Sequence, residues 1–162
     1  MTAPTAPTAP TADVTTARRR RALALLTVLL LAITATACLD APEQSFLDRT
    51  NAMRRTAGIG QLQEHDTLTA KAEAWAVHMA ATGTLAHSTL SAGLGGLQYA
   101  SLGENVGVAS SGSDPWLQIH NAFAASPGHR ANLLNSSFSH MGVGVAVGAD
   151  GRVWVAEVFA QL

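Results

Sequence analysis

The chain has 162 residues, 48% of them apolar and 13% charged, with ten basic and eleven acidic side chains and a single cysteine. A formal charge of −1 with no clustered basic face excludes a nucleic-acid binder of the usual electrostatic kind, and one cysteine excludes an intramolecular disulfide. The apolar share and the length suit one domain with one core.

The N-terminus reads as an address. Residues 2–10 repeat Thr-Ala-Pro three times, Arg18 to Arg21 follow, and an uncharged run then extends from Ala22 to Ala37. A basic segment, an apolar segment and small residues before a cut make residues 1–37 an export signal. The apolar run falls short of the ~20 residues needed to span a bilayer, which favours cleavage over retention as an anchor. Cys38 follows Ala35-Thr36-Ala37 and resembles the lipidated cysteine of bacterial lipoproteins, with alanine where leucine is usual. The other reading is an ordinary cleavage site ending at Ala37. A short polar linker, 38–45, follows, and residues 38–162 carry six basic and ten acidic side chains.

Phe46, Thr50, Met53 and Ala57 recur at helical spacing, and Gly58 and Gly60 end that helix. Asp66 is placed to cap a second helix with a Leu68, Ala72, Trp75 and Met79 stripe, stopped by Gly83. Residues 83–103 contain five glycines and read as a long loop of the kind that often carries function. Asp114-Pro115 and Ser126-Pro127 each combine a cap residue with proline at the first helical position, opening a third and a fourth helix. Two alternating runs around Asp150-Gly151 predict a hairpin. In its first strand Gly142, Gly144, Ala146 and Gly148 share a face small enough to let another element come close. Helices followed by a hairpin argue for α+β.

No familiar nucleophile, phosphate-binding or metalloprotease motif is present. The chemistry-bearing residues that remain are His87, Glu104 and His129, separated by gaps without local logic. His129 falls at about the third position of its helix, where the dipole opposes protonation and favours a neutral imidazole.

The segments "FLDRTNAMRRTAGIGQLQEHDTLTAKAEAWAVHMAATGTLAHS", "GENVGV", "SPGHRANLL", "GVGVAV" and "WVAEVF" together resemble the bacterial branch of the CAP superfamily, the SCP domain. The resemblance covers residues 43–162 and implies an α-β-α sandwich with a central antiparallel sheet and flanking helices. It also implies a cleft in which His87, Glu104 and His129 could hold a divalent cation such as zinc. The second glutamate of the family's pattern is missing, since Asp114 is the one acid in residues 105–128. His120 and Glu157 are the candidates to replace it. The function so implied is an exported cell-envelope module, without catalysis, that binds a lipid or sterol-like ligand and is tied to the membrane through Cys38. A zinc-dependent hydrolase and a structural or adhesion domain with a vestigial cleft are the alternatives.

Overall fold

The glycine face of the hairpin fixes the architecture. The computed structural model describes residues 41–162; the Thr-Ala-Pro lead, the export signal and Cys38 lie outside the described residues. Four helices and four strands follow in order: α1 (Ala41–Thr56), β1 (Gln63–Glu64), α2 (Asp66–Thr82), β2 (Ser101–Ala109), α3 (Pro115–Ala125), α4 (Pro127–Leu133), β3 (His140–Val147) and β4 (Val153–Gln161). The sheet order is β1-β3-β4-β2, antiparallel throughout except for the short parallel pairing of β1 with β3.

Alternation along the strands divides the core into two layers. Trp154, Ala156, Val158 and Ala160 of β4 pack with Leu68, Ala72 and Met79 of α2. On the other face, Val153, Val155 and Phe159 meet Phe46 of α1, Ile119 and Phe123 of α3, and Leu133 of α4. The result is the expected α-β-α sandwich. A Cβ added at Gly142 or Gly144 would lie 2.0–2.1 Å from backbone atoms of Leu68 and Thr69, or of Ala72 and Glu73. Only glycine lets α2 lie this close to β3.

Local signals differ in three places. The cap of α2 is His65, whose Nδ1 accepts from the Thr67 N–H at 3.2 Å, and Asp66 is already inside the helix. Chain leaving β1 reaches His65 still extended, so the cap falls one residue earlier than the acidic side chain suggests. Asp114 does cap α3, accepting from the Leu117 N–H. Ser126 occupies the cap position of α4 with Pro127 after it, but its hydroxyl makes no capping bond. The third difference is β2, a nine-residue strand pairing along the whole of β4, where the glycine count suggests loop up to Gly103.

Candidate functional site

Strand β2 turns consecutive side chains to opposite layers, and this decides what can meet. Glu104 faces α2, whereas Asn105 pairs with Glu157 across the strands and faces α3 and α4. The Glu104 side chain is 1% exposed, and its Oε1 accepts from the His87 ring at 2.8 Å and from the Ser88 N–H at 2.9 Å. A carboxylate acceptor places an imidazole proton on Nδ1, on a side chain 61% exposed. The second carboxylate oxygen is buried without a hydrogen-bond partner, as is the Ser88 hydroxyl.

His129 approaches from the other layer. Its ring lies against Phe123 at 4.8 Å between centroids, and burial, followed by the nearby charge of His87, lowers its pKa. A neutral imidazole is the outcome expected from the helix position, reached here through desolvation and a neighbouring histidine. Asn105 and Asn132 seat the helix that carries it. Asn105 Nδ2 donates to the His129 carbonyl, and Asn132 Nδ2 donates to both the Glu104 carbonyl and Asn105 Oδ1.

The other two candidates lie elsewhere. Glu157 is fully buried on the far face of the sheet from Glu104, with Oε2 bonded to Asn105 Nδ2 at 2.9 Å. Burial pushes its pKa up to about 8, against a lowering by the Asn105 bond. His120 is buried against Phe46 of α1, with ring centroids 6.0 Å apart, and burial and Arg49 lower its pKa. Neither joins His87 and Glu104.

Zinc centres that hydrolyse bonds take three protein ligands. Among the described residues no group of three or more His, Cys, Asp or Glu side chains is disposed to hold a metal ion. Glu104 is committed to the His87 Nδ1–H and stands where a carboxylate behind a ligand would stand. The arrangement is a bonded His–Glu pair with a second histidine nearby, which does not fit a three-ligand zinc site.

What the residue pattern did not reveal is the space beside His87. A cavity of about 480 Å³ opens between α2 and the loop after it, with Ala70, Ala74 and Trp75 on the helix side and Ser88, Thr89 and Ala92 on the loop side. Two α2 side chains fasten this loop. Lys71 Nζ donates to the Thr89 and Ala92 carbonyls at 3.0 and 2.9 Å, and the Trp75 indole donates to the Ala86 carbonyl at 2.8 Å. Lys71 stands beside the Leu68, Ala72, Trp75 and Met79 stripe and not in it, so the residue pattern carries no signal for this role.

With this geometry in view, the comparisons are informative. The model of the cysteine-rich secretory protein family, CAP, matches residues 47–159. The protein YkwD of Bacillus subtilis is 29% identical over 129 residues, covering 75% of this chain and 48% of its own length. This chain therefore spans about half of that relative. An extracellular SCP-domain protein of Bacillus anthracis superposes with a TM-score of 0.61 and 25% identity, over 76% of this chain and 41% of that one. An outer surface protein of Borrelia burgdorferi superposes at 0.63 with 16% identity, over 73% and 90%, a likeness of fold.

Proposed function

The chain belongs to the CAP family of cysteine-rich secretory proteins, and on that premise we propose that it is an exported, non-catalytic module binding a small apolar ligand in the pocket beside His87. The carrying observation is the cavity of about 480 Å³ between α2 and the following loop, lined by alanines and Trp75 with Lys71, His78 and His87 among them. Its size and its mix of apolar walls with a few polar groups are those of small-molecule sites. Export rests on the basic and apolar layout of residues 18–37, and attachment to the membrane on acylation of Cys38. A sterol or lipid is the natural class of apolar ligand for an envelope protein so placed.

Calorimetric titration of the full chain with 1-octanol tests the reading. One saturable site is expected, and Ala74→Trp, which adds an indole at an exposed helix position lining the pocket, abolishes it. Absence of saturable binding, or binding that survives Ala74→Trp, overturns the proposal. A divalent cation held by His87 and His129 is an accessory in this reading, so chelation with EDTA leaves octanol affinity unchanged.

A further inference from the structure

We propose that the second half of β3 is an interaction edge whose partner is a second copy of this chain, paired antiparallel through Val145 and Val147. The sheet has two outer strands, β1 and β2, and they are finished differently. On β2 the Glu104 carbonyl receives Asn132 Nδ2 at 3.0 Å, and α3 and α4 lie against the strand. On the opposite side β1 is two residues long and pairs only with His140 and Met141. The Met141 carbonyl accepts the His65 N–H at 3.1 Å, and past that point β3 itself forms the edge.

Backbone groups alternate in direction along a strand. The Gly148 N–H bonds to the Arg152 carbonyl where the hairpin closes, so even-numbered residues of β3 turn their backbone groups to β4. Odd-numbered residues face outward, as Met141 does. Among the described residues no group bonds to the N–H or C=O of Val145 or Val147. Open strand edges are normally guarded by lysine, proline or a bulge. Residues 141–149 contain no charged residue and no proline, and β3 pairs with β4 residue for residue, without a bulge. Val145 is half-buried and Val147 is 63% exposed.

Such an edge takes an extended backbone, and its own uncharged sequence is complementary to it. A two-fold axis beside Ala146 sets Val145 opposite Val147 of the second copy, and Val147 opposite its Val145, closing four N–H···O=C bonds. The valines then form cross-strand pairs. They do so on the face where Val145 packs against the layer of Phe46 and Val155, so the apolar layer of one copy continues into the other. No like charges meet across the join.

Sedimentation velocity of the full chain tests the proposal, with a dimer expected that dissociates on dilution. Val147→Lys, a change at an exposed side chain, is expected to leave monomer at every concentration. In the unaltered protein, amide exchange followed by NMR is expected to slow about tenfold at Val145 and Val147 as dimer forms. A parent that is monomeric throughout, or a dimer that survives Val147→Lys, overturns the assignment. So do Val145 and Val147 amides whose exchange is indifferent to dilution, a readout that does not depend on any variant.

Discussion

The two faces of the sheet solve the same packing problem in opposite ways. Toward α2 the sheet presents glycines, and the helix backbone comes almost into contact with β3. Toward α1, α3 and α4 it presents Val155, Phe159 and Met141 against Phe46 and Phe123, a layer of large side chains. The difference extends to buried charge. On the α2 face Lys71 lines a cavity, and Glu104, bonded to His87 beside it, keeps one buried carboxylate oxygen without a partner. On the other face Arg54 is fully buried and spends its guanidinium on the carbonyls of Gly60, Leu133, Asn135 and Phe138. That face is tied by Arg54, with Glu157 Oε1 and His120 Nδ1 left unpartnered, while α2 packs closely on the sheet through residues 68–73 and lines the cavity with residues 70–78.

The sharpest way to break this contrast is Gly144→Val. Backbone cannot yield to a side chain at 2.1 Å, so loss of cooperative thermal unfolding is expected; a folded variant would show that α2 is not held by close approach. Next is Arg54→Met, which takes a donor from four carbonyls, of which Asn135 keeps the Phe138 N–H, and is expected to cost about 3–5 kcal/mol in denaturant titration. A loss under ~1 kcal/mol would mean that water satisfies those carbonyls and the face is not tied by Arg54.

Glu157 gives a pH-resolved test of the same face. Its folded pKa is raised to about 8 from the ordinary 4.5. The folded state thus keeps a proton that the unfolded chain releases. This contribution to stability is complete below pH ~4.5 and is lost as pH rises through about 8. Against Glu157→Gln, the parent should lose stability progressively across that window and no further above it, read from unfolding midpoints at successive pH values. A constant difference between the two would place the carboxylate in a solvated site. The smallest effect expected is from Asp114→Ala, about 1 kcal/mol for loss of the α3 cap, measured by the same titration.

The helices and the hairpin were legible because their apolar periodicity is strong and their ends carry glycine, or aspartate before proline. Strand β2 was not, because Gly103 and Gly107 stand where Phe138, Ile119 and Phe123 fill the space that side chains would take, and Glu104-Asn105 interrupts the apolar pattern. Both polar residues are buried, one in each layer. Without that strand's register, nothing in the sequence indicates that Glu157 faces away from Glu104, which is why it stood as a cleft candidate. His87 and Glu104 form a bonded pair. The pocket was hidden for another reason: it is made by the path of a loop, and Lys71 and Trp75 acquire their roles only once that loop lies across them.

One consequence follows from the place of β4. It is the last strand along the chain and yet sits between β3 and β2, bonded to both along its length. During synthesis, β2 and β3 therefore have no common neighbour until residues up to Gln161 have left the ribosome, and neither core layer can close before then. Loss of β4 would remove the middle of the sheet instead of trimming an edge.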